Sequence, residues 1–498
     1  MEKSTNPRRA KAPLILTLDV GSSSLRASLY DAGARRLDDM AVRRTYRLAA
    51  TPDGGATLDA DQLLNQAVRA IDALLDRAGD LAGEIGGVAI DTLVANVLGV
   101  DGQGRPLTPV YTYADTRSAP DADQLRREMD EEAVHDRTGC PVHSSYLPAR
   151  FRWLARTRPD RLRRAARWIS LGEYLTWHFF GEYGLSHSVA SWTGLLNRQT
   201  LAWDEDWLAR LPLDAGRLSP LVDLDQPRRG LLEPWAGRWP ALRDAPWFPA
   251  VGDGAAANIG SGCAGPGRVA LTIGTSGAMR VVLEGQVPAV PAGLWSYRVD
   301  RRRSLLGGAT SEGGNVYAWL RDTLRLPGVE GLEDELARME PAAHGLTFLP
   351  FLAGERSPGW RGEARASLTG LGLGTRPIDI LRAGLEGVAY RFALIHRRLA
   401  PYLPPEHRII GSGAGLLASP AWLQIMADVL GRPLVASAEP EATSRGAALL
   451  ALEALGLIED AAALPAAVGQ TYRPDADRHA RYQAAIAGQV KLYRAIIE

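Results

Sequence analysis

Two short turns and one carboxylate carry most of the chemistry available to this 498-residue chain. Asp19 closes an apolar, strand-forming run that starts at Leu14, and Gly21, Ser22, Ser23 and Ser24 follow at once. A carboxylate at a strand end, beside backbone N–H groups and hydroxyls, can hold a hydrated Mg²⁺ while the turn cradles phosphate oxygens. An Asp that merely opens a turn has the same local sequence. The second loop, Gly274-Thr275-Ser276-Gly277, favours the phosphate reading, because two facing hydroxyl-glycine turns can grip a polyphosphate chain without a lysine. Lysine occurs only at Lys3, Lys11 and Lys491, so no Walker-A, Schiff-base or kinase-strand lysine is available in the body of the chain.

Asp253 lies in Val-Gly-Asp-Gly-Ala-Ala-Ala-Asn. Its small neighbours would let a sugar approach the carboxylate closely, and a helix N-terminus would keep it ionised and ready to accept a hydroxyl proton. The alternative is an N-cap Asp that satisfies backbone donors. Asp115 and Arg117, in TYADTRS, form either a surface ion pair or a polar sugar clamp. Three glycine clusters remain: Gly307-Gly308 with Gly313-Gly314-Asn315, Gly411-Ser412-Gly413-Ala414-Gly415, and Gly446. The second follows Ile409-Ile410 and precedes a helical pattern, so it can bring backbone against a flat ring or phosphate. The partial GxG lacks the βαβ register of a dinucleotide site. Eight histidines without H-x-x-x-H or H-E-x-x-H spacing exclude the zinc hydrolases, and no G-x-S-x-G elbow is present.

These residues must be positioned by a large α/β scaffold. Leu14 to Tyr30 reads as a hairpin, and Val269 to Val282 repeats its layout, pairing Gly21 with Gly274, Ser22 with Thr275 and Ser23 with Ser276 at a constant offset of about half the chain. This predicts two related domains, with a boundary in the Gly-rich stretch 258–267. Strand patterns at Val88–Ile90 and Val97–Val100 alternate with helical spacing at 59–77, 149–157, 161–168, 172–180, 313–324, 378–399, 420–430 and 444–455, with Gly431 as a C-cap. Residues 1–12 read as a disordered tail, 13–262 as the first domain and 263–498 as the second, packed around a cleft.

Composition sets the outer limits. The 57 basic and 57 acidic residues cancel, which argues against a general nucleic-acid or anionic-membrane binder. A 46% hydrophobic, 23% charged chain is ordinary for a globular protein. No window approaches 18 uncharged apolar residues and no signal peptide is recognisable, so no membrane span is expected. Cys140 and Cys263 are too few for a disulfide framework, which fits a reducing, cytoplasmic setting.

Taken in order, the segments LDVGSSSLRASLYD, GVDGQGRPLTPVYTYADTRS, ASWTGLLN, VGDGAAANIGSG, LTIGTSGAMR, GGATSEGGNVYAWL, FLPFLAGERSPGW, GSGAGLLASPAWLQIMADVLGRP and EATSRGAALLA resemble the FGGY carbohydrate kinases. That family includes glycerol kinase, xylulokinase and gluconokinase. The resemblance runs from Leu14 to about Leu455, and it implies two actin-like, ribonuclease-H-like domains around a cleft that closes on ATP, Mg²⁺ and sugar. By motif it implies Asp253 as the base that takes the proton of the attacking sugar hydroxyl. Asp19, with Asp253, would be the carboxylate near the metal. Gly21, Ser22 and Ser23 would face the transferring phosphate, Gly274 and Thr275 the β/γ region, and Gly314, Gly413 and Ala414 the nucleoside. Thr92, Asn96, Tyr113, Asp115 and Tyr146 are the polar groups expected near the sugar. Segments such as GERSPGW and YADTRS resemble gluconokinase-type members most, which implies D-gluconate. Where many xylulose and gluconate kinases carry a Met-His pair, this chain reads Leu93-Val94-Ala95-Asn96, so another ketose, polyol or sugar acid is the alternative acceptor. A non-catalytic nucleotide or sugar sensor on the same fold is the alternative of another class. Family members commonly pair, which implies a homodimer.

Overall fold

The computed structural model describes residues 4–326 and 328–498. Leu14–Val20 and Ser24–Tyr30 form the expected first hairpin, and every side chain of the inner strand but Asp19 is buried. It nucleates a six-stranded sheet in the order Ser4–Thr5, Arg36–Thr45, Ser24–Tyr30, Leu14–Val20, Ile85–Thr92, Val251–Gly252. The hairpin Arg268–Ile273 and Gly277–Glu284 does the same for a seven-stranded sheet, ordered Trp295–Arg298, Arg303–Thr310, Gly277–Glu284, Arg268–Ile273, Arg408–Ser412, Leu434–Ser437, Val468–Tyr472. In both sheets the hairpin continues antiparallel on one side, and its first strand pairs in parallel on the other with a strand reached by a crossover. The internal repeat read from the two turns is therefore a repeat of topology. The molecule is α/β with two actin-like lobes.

The helices close over these sheets. Ala60–Ala78 starts where Asp59 accepts the Gln62 N–H (2.8 Å) and buries Leu63, Ile71 and Leu74 over the first hairpin. Pro377–Leu399 and Pro420–Leu430 cover the second sheet, and Gly431 ends the latter in the left-handed conformation, as its C-cap position requires. Two expectations fail. Residues 4–12 of the supposed tail are structured: Ser4 and Thr5 pair in parallel with Arg36 and Leu37, and Pro7–Arg9 makes a 3₁₀ turn. Residues 161–168 are not one helix. It ends at Arg164, and Arg167–Ile169 is a strand on Leu98–Val100, because Trp168 lies opposite Gly99, whose missing side chain leaves room for the indole.

The lobes meet across two helices, Asp253–Gly260 and Ala442–Ala454, the latter also lying against Leu14–Val20 and Ile85–Thr92. They cross at Gly260 and Gly446, where a Cβ on either glycine would overlap the partner helix backbone. Among the described residues no helix is long and apolar enough to cross a membrane.

Candidate active site

Between the lobes lies a cavity of about 330 Å³, with Asp253 in its wall. Val251–Gly252 is the last strand of the first sheet, and the helix starts directly at Asp253 with Gly252 as its N-cap. The carboxylate is thus not the cap. Its Oδ1 accepts only the adjacent Gly254 N–H (2.7 Å), leaving the other oxygen free to face the cavity. Burial pushes its pKa up to about 6, with the Asp19 charge adding to the rise and the Gly254 N–H and Arg280 opposing it. Desolvation outweighs the helix end, yet at neutral pH the acid is still mostly ionised, as expected of a group ready to accept a proton. The result is a carboxyl tuned close to neutrality, which suits a base that must take and release a proton.

The second turn reaches the same cavity, which Thr272, Gly274, Thr275, Ser276 and Gly277 line. Its shape is fixed from behind. Gly274 N–H donates to Ser276 O (2.9 Å), Gly314 N–H to Gly274 O (2.8 Å) and Asn315 N–H to Thr275 O (3.1 Å). Gly314 and Gly415 lie so close to the Gly274 carbonyl that neither has room for a side chain, and Gly413, at φ +90°, sits equally close to Ile273. Ala414 begins the short helix Ala414–Leu417 beside them. The predicted nucleotide residues of the second lobe are therefore one contiguous floor. The first turn is tied by Gly21 N–H to Ser24 O (3.0 Å), by Tyr46 N–H to Ser23 O (3.0 Å) and by the Tyr46 hydroxyl to Gly21 O. The hydroxyls of Ser22, Ser23, Thr275 and Ser276 are given to nothing else in the described chain, so they are available to a ligand.

Asp19 and the first turn belong to an acidic cluster. Burial raises the Asp19 pKa, while Asp91, Arg26 and Arg43 lower it; Arg26 Nη1 lies 3.4 Å from Asp19 Oδ2 and also pairs with Glu441. Asp91 is the residue sequence reading missed. It sits directly across from Asp19 in the parallel register, is fully buried, and no N–H or O–H donor of the described chain reaches either oxygen. Burial and then the Asp19 and Asp253 charges drive its pKa well up. No group of three or more acidic, His or Cys side chains among the described residues is arranged to hold a metal by itself. One carboxylate beside a phosphate cradle is nevertheless what Mg²⁺ needs, since it keeps waters and takes phosphate oxygens as ligands.

Of the residues expected near the sugar, the structure brings Tyr113, Tyr146 and Asp253 together in the cavity wall. Three others are elsewhere. Thr92 is fully buried behind Gly172. Asn96 spends its amide on Leu93 O (2.6 Å) and on the Leu171 N–H (2.8 Å). Asp115 is enclosed by Arg117 and Arg150, with Arg150 Nη1 2.8 Å from Oδ1, so its pair with Arg117 is a buried structural link. The wall instead contains Trp192, Trp295 and Tyr297, with Trp192 stacked on Tyr297 (3.7 Å) and the Tyr146 and Tyr297 hydroxyls 2.6 Å apart. Val94 and Ala95 line it where an imidazole was looked for, and Arg280 and Arg356 complete it. Trp192, Arg280 and Arg356 lie in the segments ASWTGLLN, LTIGTSGAMR and FLPFLAGERSPGW, whereas Trp295 and Tyr297 carried no hint in sequence.

Comparison with known proteins agrees with this geometry. Residues 14–260 match the N-terminal domain, and residues 269–455 the C-terminal domain, of the FGGY family of carbohydrate kinases. The chain is 29% identical over 471 residues to a gluconokinase of Bacillus subtilis, covering 92% of this chain and 91% of the relative. It is 31% identical over 462 residues to a glycerol kinase of Alkalilimnicola ehrlichii, covering 89% and 90%. A crystal structure of gluconate kinase from Lactobacillus acidophilus superposes with a TM-score of 0.90 at 25% identity, over 97% of this chain and 98% of that one. With a cleft between two repeated lobes and both family domains in place, this chain belongs to the FGGY carbohydrate kinases and is an ATP-dependent sugar kinase.

Proposed function

We propose that this kinase transfers the γ-phosphoryl group of ATP to a terminal hydroxyl of D-gluconate, giving 6-phosphogluconate, with Asp253 as the general base. The observation that carries the proposal is that Asp253 and the Gly274–Gly277 turn line one cavity. An acceptor hydroxyl at Asp253 would then be aimed at a phosphate chain held by the turns, and phosphoryl transfer depends chiefly on such in-line positioning and on charge neutralisation. Asp253 takes the hydroxyl proton as the new O–P bond forms. The turn residues Gly21, Ser22, Ser23, Gly274 and Thr275 donate to phosphate oxygens, with Gly314, Gly413 and Ala414 under the nucleoside. Asp19 would hold Mg²⁺, with Asp253 nearby; when bound, the metal supplies charge neutralisation at the β- and γ-phosphates. In this reading the lobe of residues 13–262 supplies the base and much of the acceptor site, and 263–498 the nucleotide site.

Gluconate as acceptor is supported by the gluconokinase relatives, which align over nearly the whole chain. The apolar Val94 and Ala95, where many xylulose and gluconate kinases carry an imidazole, favour a second reading, in which a polyol or a different ketose or sugar acid is the acceptor. A coupled ADP-release assay over aldonic acids, ketoses and polyols separates them. D-gluconate should give the largest kcat/KM, and no gluconate-dependent ADP release would reject the proposal. The two thiols, both buried and free, suit a reducing compartment, and we place the enzyme in the cytoplasm.

A further inference from the structure

We propose that Arg280 and Arg356 bind the carboxylate of the acceptor and thereby set a preference for sugar acids over neutral sugars. This rests on the cavity being the acceptor site. The two arginines come from separate elements: Arg280 from the strand Gly277–Glu284, opposite Gly307, and Arg356 from the loop that precedes Ser357-Pro358. Both reach the cavity that Asp253 lines.

Their isolation is the evidence. Many fully buried guanidiniums pair with a carboxylate, as Arg150 does with Asp115, Arg303 with Asp300, Arg382 with Glu386 and Arg391 with Glu355. Arg280 and Arg356 are half-buried with Nε atoms that lack an acceptor, and neither makes an ion pair among the described residues; Arg280 feels the Asp253 charge, and Arg356 acts on the buried Glu312 and lies 5.8 Å from the face of Trp360. The carboxylate next to Arg356 in sequence, Glu355, is already held by Arg391 and Tyr493. Two desolvated like charges that share a cavity are costly unless an anion joins them. Among the described residues Asp253 is the one carboxylate lining the cavity, against two guanidiniums, so the lining carries one more positive than negative group. Guanidinium forks match a carboxylate in shape and charge.

A phosphate oxygen of the nucleotide would offer the same chemistry, but the surroundings favour the acceptor. The Arg356 charge acts on Tyr146 and Tyr297, which belong to the aromatic side of the cavity, and in the proposed reading the two hydroxyl-glycine turns serve the phosphates. A chain of hydroxylated carbons can then lie along Trp192 and Tyr297 with its acid end at the arginines and its far hydroxyl toward Asp253.

The test compares D-gluconate with its neutral counterparts D-glucitol and D-gluconamide. Wild-type kcat/KM should favour gluconate by about 100-fold or more, a discrimination of the size that charge-assisted hydrogen bonds supply. Arg356→Gln and Arg280→Gln should each raise the gluconate KM by about 10- to 100-fold and shrink that preference to within tenfold, with Arg356→Lys recovering part of it. ADP affinity, titrated by calorimetry, should change less than threefold in Arg356→Gln. Equal use of acid and neutral acceptors by the wild type overturns the clamp without needing any variant. So does an Arg356→Gln enzyme that keeps its preference, or one that loses ADP affinity as steeply as gluconate affinity, which would assign the pair to phosphate. In all three cases gluconate is still phosphorylated by the wild type, whereas failure of the gluconate proposal itself is seen as no gluconate turnover.

Discussion

Replacing Asp253 by Asn should cripple the enzyme and stabilise it at the same time. The native carboxyl titrates at about 6 against an ordinary 3.8. A proton is therefore bound more tightly in the folded state, and this group's contribution falls as pH rises through the window from 3.8 to about 6. Above that window the ionised, desolvated carboxylate costs about 3 kcal/mol. Asparagine keeps an oxygen for the Gly254 N–H but cannot ionise, so Asp253→Asn recovers that cost at pH 7.5 and recovers almost none at pH 4. With an unfolding entropy of about 2 cal/mol/K per residue, the gain corresponds to ~3–6 °C in Tm, depending on whether one lobe or both melt together. Turnover should fall by about 10²–10⁴-fold, the usual contribution of a positioned base. The wild-type kcat/KM should also rise with unit slope to a plateau above pH 6, a limb the variant lacks. Differential scanning calorimetry at the two pH values and a coupled ADP assay read both effects. A variant with turnover within tenfold of wild type, or with a lower Tm at pH 7.5, would refute the reasoning.

Further consequences follow from other contacts. Gly274→Ala meets open space in the free protein, so its Tm should stay within ~1 °C of wild type while the new methyl crowds the phosphate chain and raises the KM for ATP at least tenfold in steady-state assays. Gly446→Ala forces a methyl into the Asp253–Gly260 helix and should cost about 1–3 kcal/mol or more, measured as a lower denaturation midpoint. Arg150→Met leaves Asp115 buried with Arg117 as its remaining partner and should destabilise the first lobe by about 3–5 kcal/mol, while the KM for the acceptor in the folded fraction stays near wild type. The arginines hold the Asp115 pKa down, so its stabilising contribution is present above 3.8 and is lost as pH falls further, a loss that chemical denaturation at pH 3 should detect.

Both hairpins were legible because each couples an apolar strand to a turn that only small residues can make, and the resemblance between the two turns carried the topological repeat. Asp253 was legible for a related reason: glycines on both sides mark a carboxylate that something must approach. Its pKa was not, because desolvation depends on what the fold packs around it. Asn96 and Asp115 misled because a polar residue near a motif reads as available until its partner is known, and Thr92 because its burial depends on the elements packed over it. Arg150 and Leu171 lie 35 and 75 residues from the groups they satisfy. Asp91 sits inside an apolar strand run, and only the parallel register sets it against Asp19. The aromatic and arginine wall is drawn from segments around 146, 192, 280, 297 and 356, and chain order gives no sign that they meet. Trp168 shows the same limit in the fold itself, where one glycine on a neighbouring strand outweighs helical spacing.

The most direct measurement is a crystal structure with a non-hydrolysable ATP analogue, Mg²⁺ and D-gluconate. The γ-phosphate should lie between the Gly21–Ser23 and Gly274–Ser276 turns, with an acceptor hydroxyl within about 3.2 Å of the Asp253 carboxylate and pointing at phosphorus. A nucleotide bound away from either turn, or an acceptor whose hydroxyls all lie beyond reach of Asp253, would contradict it.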